Sequence, residues 1–407
     1  MTIATLVATL LILLQAPPAP APTPAPAPTP PVAPRSPSRP APPARKGMPT
    51  STEFRRVDPP MVPGVKVAFP NLETWVQGEP ESAFAPGKVY VFEFFHTNCS
   101  HCREWASLIH ELARVNEEKG ARFVAISEET AETLRAWLEQ PGRKEAMPYA
   151  VVSDPDRSAM NTFQNGTFRN FNPRFFVVKD GIVQWYGHPN QAEKPLARIM
   201  AGDWDIDAAR PEAILDAQVS LAKSRLDAIA VECNGSGDWA RMYELLDSVI
   251  EALPERAGQY KAQRFLLMIG LGDQVDQGYG YGRQVAKDHA DEASTMRLLA
   301  RAVLAAPYTR RRDIDFGLEC AVTADRLSDG KDSRAADVLA LAWFSKGDAT
   351  AAIEHELRAI ALEPNAKQRR EYERALEHYR TSDPSPVPVR PAPPAGGAVP
   401  PSAPGVE

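Results

Sequence analysis

Between residues 88 and 187 the apolar positions change period several times, and each change predicts an element. "KVYVFEFF" (88–95) is an apolar run rich in β-branched and aromatic residues, broken by one acid, and predicts a strand buried on both faces. After it Trp105, Leu108, Ile109, Leu112 and Val115 recur at helical spacing, and Gly120 closes the helix. "ARFVAIS" (121–127) predicts a second strand and "ETAETLRAWLEQ" (129–140) a second helix, stopped at Pro141-Gly142. "PRFFVVKDGIVQWYG" (173–187) reads as two strands around the hairpin signal Lys179-Asp180-Gly181. Strand, helix, strand, helix and hairpin make an α/β layer with mixed strand pairing.

From residue 206 strand signals vanish and amphipathic helices take over. "VLALAWFSKGDATAAIEHELRAIALEPNA" (338–366) predicts a helix, a turn at Gly347-Asp348, a second helix and a stop at Pro364. Such a pair hides its apolar faces only by stacking on neighbours, as in a helical solenoid. "SGDWARMYELLDSVIEALPE" (236–255) carries a similar turn, helix and closing Pro254. The repeat resembles the tetratricopeptide pattern, with Gly347, Ala352, Ala359 and Pro364 at matching places; a plain helical bundle is the other reading.

Composition separates these halves from their flanks. Residues 16–47 are Pro/Ala low complexity that cannot build a core and predict an extended polyproline II linker, and the tail from about Pro384 is similar in kind. At about 3.1 Å per residue such a linker spans on the order of 100 Å, enough to act as a stalk. The apolar run Ile3 to Leu14 is shorter than the roughly 20 residues that cross a bilayer. It fits the apolar core of an export signal, with Leu14-Gln15-Ala16 as a cleavage site, or an uncleaved N-terminal anchor. Either predicts an extracytoplasmic protein, periplasmic or secreted, with a membrane tether if the segment stays. The expected organisation is a signal peptide or anchor at 1–16, a linker at 17–58, an α/β domain at 59–205, an all-α repeat-like domain at 206–380 and a disordered tail at 381–407.

A net charge of −6 with no concentrated basic face argues against nucleic acid as a partner. Four cysteines, Cys99, Cys102, Cys233 and Cys320, are too few and scattered for a disulfide scaffold. The close pair must therefore be judged within "FFHTNCSHCREW" (94–105). Disulfide exchange needs a thiolate, and three features here lower a cysteine's pKa. Cys99 sits at the head of the predicted helix, where free amides and the helix dipole favour an anion. His101 stands between the cysteines, and Arg103 follows in the same turn. All three stabilise the reduced form, which makes the disulfide more oxidising. Cys99 is expected at the exposed edge as the attacking thiol, and Cys102 inward as the resolving thiol. Glu93, inside the apolar strand, is costly there unless it has a task. The expected task is proton exchange with Cys102, with its pKa raised by burial; a glutamate at a sheet edge reaching water is the alternative.

From about Trp75 to Asp205 the chain resembles the thioredoxin-like family, specifically the extracytoplasmic TlpA/ResA-like thiol-disulfide oxidoreductases. Trp75, Gly78, the "GKVYVFEFF" strand, the Cys-x-x-Cys at a helix start and "GHP" (187–189) fall in matching order. The resemblance implies a thioredoxin-like domain with no organic cofactor. Its acid before the motif maps onto Glu93 and its substrate-docking cis-proline onto Pro173, with Asn172 offering backbone groups to a substrate strand. Cysteine-containing protein substrates and a thiol-disulfide electron partner are implied, and the helical half is free to bind a further protein. The family's Trp-Ala-x-Trp is replaced by Phe95-His96-Thr97-Asn98, and its Gly-Pro between the cysteines by Ser100-His101. A histidine before the second cysteine is instead similar to protein disulfide isomerases and DsbA. With the thiolate argument, this predicts an oxidising or isomerising poise, at about −130 to −220 mV.

Three other readings compete. His96, Cys99, His101 and Cys102 offer ligands suited to copper or zinc, with His188 as a further candidate. A peroxidase would place its threonine further from the cysteine than Thr97 stands, with an associated proline. A helical scaffold with a vestigial thioredoxin-like half is the third. Cys233 and Cys320 either pair with each other or are buried small hydrophobes.

Overall fold

The computed structural model describes residues 51–168, 173–272, 274–309 and 311–388. The export or anchor segment, most of the linker, Asn172 and most of the tail lie outside the described residues. The chain divides into two compact units, Arg56–Lys223 and a second that runs from Ser224 onward and includes the residues just before Arg56.

In the first unit a six-stranded sheet comprises β1 (Thr74–Gln77), β2 (Val89–Phe94), β3 (Arg122–Ser127), β4 (Ala150–Ser153), β5 (Arg174–Lys179) and β6 (Ile182–Gly187), in the order β1-β4-β3-β2-β5-β6. β2 is central, parallel to β3 and antiparallel to β5, and it is buried along its whole length as its apolar run requires. Helices α1 (Ser100–Glu117), α2 (Ala131–Leu138), the short α3 (Arg143–Ala146), α4 (Ser158–Phe163) and α5 (Glu193–Ala201) complete the layers. The period of two along β2 divides the core. Tyr90, Phe92 and Phe94 join Phe163 and Phe176 on one face, while Val89, Val91 and Phe95 join Ile109, Leu112 and Leu134 on the other. Glu93 shares the second face, the one α1 covers.

The hairpin forms where expected, with Asp180 and Gly181 both at positive φ between β5 and β6. β1 and β4 were not expected. Gly78 ends β1 at φ +87, and a side chain there would collide with Ala150 of β4, so this glycine serves both the turn and the strand contact.

The 31-residue helix α6 (Ile206–Ser236) crosses the division between the units. The first unit therefore runs past the expected end at residue 205, and within it the Tyr186 hydroxyl donates to the Ala213 carbonyl at 3.0 Å. The second unit is helical: α7 (Ala240–Ala252), α8 (Ala257–Ile269), α9 (Val275–Asp288), α10 (Ala293–Leu304), α11 (Ile314–Leu327), α12 (Ser333–Lys346), α13 (Ala349–Leu362) and α14 (Ala366–Thr381). Gly347, at φ 99, ends α12, and Asp348 caps α13 by accepting from the Ala351 amide at 2.9 Å. Among the described residues no helix is long and apolar enough to cross a membrane.

Two expectations about the flanks need correction. The linker was expected to reach residue 58, yet Phe54 is buried, with its amide donating to Ser248 Oγ at 2.7 Å. The tail was expected to be disordered from residue 381, yet Val387 packs on the helical core and its carbonyl accepts from Arg312 at 2.8 Å. In each case a single apolar side chain finds a core site beside a polar anchor, which composition alone does not reveal.

Candidate functional site

The site begins where β2 ends. The Phe95 amide donates to the Ile126 carbonyl, continuing the ladder, and the chain then turns, with the Cys99 amide donating to the His96 carbonyl at 3.0 Å. Cys99 becomes the N-cap of α1, a place where four backbone N–H groups lack intrahelical partners. Its Sγ accepts from the Cys102 amide at 2.9 Å. Cys99 and Cys102 are joined as a disulfide, with Cα atoms 5.2 Å apart. Cys99 is half-buried and Cys102 only 8% exposed, the asymmetry that an attacking and a resolving sulfur require.

Behind the pair lies a cavity of about 40 Å³, room for a water or two, lined by Glu93, Cys102, Phe95, Trp137, Met147 and Tyr149 among others. Glu93 is 1% exposed in the central strand, so the sheet-edge alternative is overturned. Its Oε2 accepts from the Tyr149 hydroxyl at 2.7 Å. Burial pushes the Glu93 carboxyl up to about 7, with the tyrosine bond opposing it. The Tyr149 phenol is held well above its ordinary 10, by burial first and by Glu93 second. Tyr149 escaped the sequence reading because it precedes β4, a four-residue strand with no periodic signal of its own.

His101 is exposed, and its Nδ1 lies 3.3 Å from Glu104 Oε2. Its ring centroid is 5.3 Å from that of His188, which is in turn 5.0 Å from Trp105. The "GHP" segment thus stands beside the first turn of α1, and His188 caps the turn that follows β6. Arg103 does not simply reach solvent, because its guanidinium donates to the Thr97 carbonyl at 3.3 Å. Pro173 is buried immediately before β5, whose first residue Arg174 pairs with Phe94, so the register brings it to the end of β2 from which the cysteine turn departs. Asn172 lies outside the described residues.

His96 Nδ1 lies 3.4 Å from Glu129, which also accepts from the Thr97 amide and hydroxyl. Among the described residues no group of three or more His, Cys, Asp or Glu is disposed to hold a metal ion. Cys233 and Cys320 are free and buried rather than paired. Burial raises both thiols, that of Cys320 to about 12.

A central strand with a parallel neighbour on one side and an antiparallel one on the other, leading into a helix that opens on Cys-x-x-Cys, gives this domain a thioredoxin-like fold. Residues 70–186 match the AhpC/TSA family. Protein FixW of Rhizobium leguminosarum is 28% identical over 140 residues, 33% of this chain, and the match spans 63% of that relative's length. Among solved structures, Mycobacterium tuberculosis AhpC aligns with 37% of this chain and 100% of its own, at 17% identity and a TM-score of 0.29. A thiol-disulfide isomerase from Corynebacterium glutamicum aligns with 35% of this chain and 97% of its own, at 14% identity and a TM-score of 0.26. The family match and the joined cysteines together support thiol redox chemistry in this domain.

Proposed function

We propose that the protein is an extracytoplasmic thiol-disulfide oxidoreductase that exchanges disulfides with cysteine-containing protein substrates, poised to oxidise or isomerise. The observation that carries the reading is the shared cavity: Cys102, the resolving cysteine, and Glu93, whose carboxyl burial pushes up to about 7, line the same water-sized space.

In the oxidising direction a substrate thiolate attacks Sγ of Cys99. The Cys99–Cys102 bond breaks and Cys102 leaves as a thiolate, which takes a proton from protonated Glu93 through the cavity. A second substrate thiolate then attacks its partner sulfur in the mixed disulfide. The substrate disulfide forms and Cys99 leaves as a thiolate, stabilised by the head of α1. Two electrons have passed to the pair, and an external thiol-disulfide partner removes them. A glutamate that titrates near 7 supplies and accepts the proton with similar ease at neutral pH, so the cycle also runs in reverse.

His101 adds positive charge beside Cys99 when protonated, although its polar contact with Glu104 moderates that effect. Pro173, buried at the head of β5, shapes the groove for a substrate strand. The N-terminal segment exports or tethers the chain, and the helical unit, tetratricopeptide-like in sequence, receives a protein partner.

The test is trapping. Cys102→Ser in the full chain should accumulate mixed disulfides through Cys99, seen as mass-shifted species that reductant releases, whereas Cys99→Ser should accumulate none. Failure of Cys102→Ser to capture a thiol protein under oxidising conditions would contradict the cycle.

A further inference from the structure

We infer that Glu129 is a positioning residue for Cys99, its carboxylate fixing the turn 96–98 that delivers the cysteine to the head of α1. This rests on the oxidoreductase reading above and names a residue outside the motif on which that reading depends. Glu129 follows β3, and because β3 runs parallel to β2 the segments leaving both strands emerge side by side. Its side chain is only 10% exposed. Oε2 accepts from the Thr97 amide at 2.8 Å and from Ser127 Oγ at 3.0 Å, and Oε1 accepts from Thr97 Oγ1 at 2.5 Å. His96 Nδ1 stands 3.4 Å from Oε1. Both backbone groups of Thr97 are therefore held, its N–H by Glu129 and its carbonyl by Arg103 at 3.3 Å.

Two residues later the Cys99 amide closes the turn and its sulfur accepts from the Cys102 amide. That last bond stabilises a thiolate only while the sulfur stays in line with the helix axis, so the fixed turn is what keeps Cys99 reactive. The carboxylate's charge acts the other way, since an anion near the site disfavours a second one. Tether and charge have opposite signs and can be separated by substitution.

The test uses the reduced full chain carrying Cys102→Ser, in which Cys99 is the accessible thiol, and follows iodoacetamide alkylation against pH. Glu129→Ala and Glu129→Gln both remove the charge, but only glutamine keeps an oxygen for the Thr97 amide. Below the alkylation midpoint the glutamine variant should react about tenfold faster than the alanine variant, the effect of one lost hydrogen bond of ordinary strength. A general role in stability would lower the melting temperature without separating these two profiles. Equal profiles would overturn the clamp while leaving the redox cycle intact. Should Glu129→Ala fail to fold, Thr97→Val removes one of the two Thr97 bonds with the charge retained. It should react more slowly than the parent, and a rate equal to the parent's would also overturn the inference. A parent whose Cys99 reacts no faster than free cysteine at any pH would sink the oxidoreductase reading and the clamp together.

Discussion

Each of the two units carries cysteines and buries at least one glutamate, and the two units treat these residues in opposite ways. In the α/β unit Cys99 opens a helix, half-exposed, with a backbone amide on its sulfur. In the helical unit Cys320 sits within α11 among apolar side chains, and burial holds it as a neutral thiol. Glu93 lines a water-sized cavity that Cys102 also lines, and it accepts a bond from Tyr149. Glu356, within α13, is fully buried, and neither carboxylate oxygen accepts a hydrogen bond. Burial raises the pKa of both glutamates, and repulsion from Asp337 adds to it at Glu356. A perturbed acid is therefore no mark of a site by itself. Access for a proton and a reacting atom alongside separate the two.

The largest effect should come from the pair. Cys99→Ser should abolish exchange with a protein substrate, while Cys233→Ser and Cys320→Ser should leave its rate unchanged; a loss in either of the latter would erase the contrast between the units. Next, Glu93→Gln should slow resolution of the mixed disulfide by about 100-fold at pH 7, the scale of a lost general acid or base, read by stopped-flow fluorescence or acid quench. An unchanged rate would remove Glu93 from the cycle.

The same substitution should change stability in a defined window. An acid raised from 4.5 to about 7 keeps its proton when folded and loses it when unfolded. The wild-type domain should thus lose about 3 kcal/mol as pH rises from 4.5 to 7, and Glu93→Gln should not. Chemical denaturation at pH 5 and pH 8 measures the difference. Glu356→Gln should likewise flatten the pH dependence of the helical unit, whose stability falls as pH rises above the ordinary carboxylate range, without altering thiol exchange. The smallest effect belongs to His101→Pro, which removes the imidazole beside the pair. The potential should fall by about 30 mV for each tenfold loss in stabilisation of the reduced form, and an unchanged potential would show that His101 is not the tuner.

Much of this was legible in the sequence wherever neighbouring residues define the feature. The Cys-x-x-Cys at a helix start, the Asp180-Gly181 hairpin and the Gly347-Asp348 turn rest on local backbone preferences. Glu93 stood out because an acid inside an apolar run is costly. β1 and β4 were missed because four-residue strands carry too few positions to show a period. Tyr149 and Glu129 were missed for another reason. They reach the site only through the pairing of β3 with β2 and with β4, and sequence proximity says nothing about which side chains such pairing aligns. The division at residues 223 and 224 falls inside α6, where one helix runs on and the sequence offers no break to mark it.

The most direct test of the central claim is the reduction potential of Cys99 and Cys102, measured by equilibrating the protein in glutathione buffers and counting free thiols with a mass tag. Two thiols should disappear together in one two-electron transition at about −130 to −220 mV, with Cys233 and Cys320 staying reduced throughout. A midpoint near −270 mV or below would contradict the oxidising poise, and a failure of the two cysteines to pair would contradict the redox site itself.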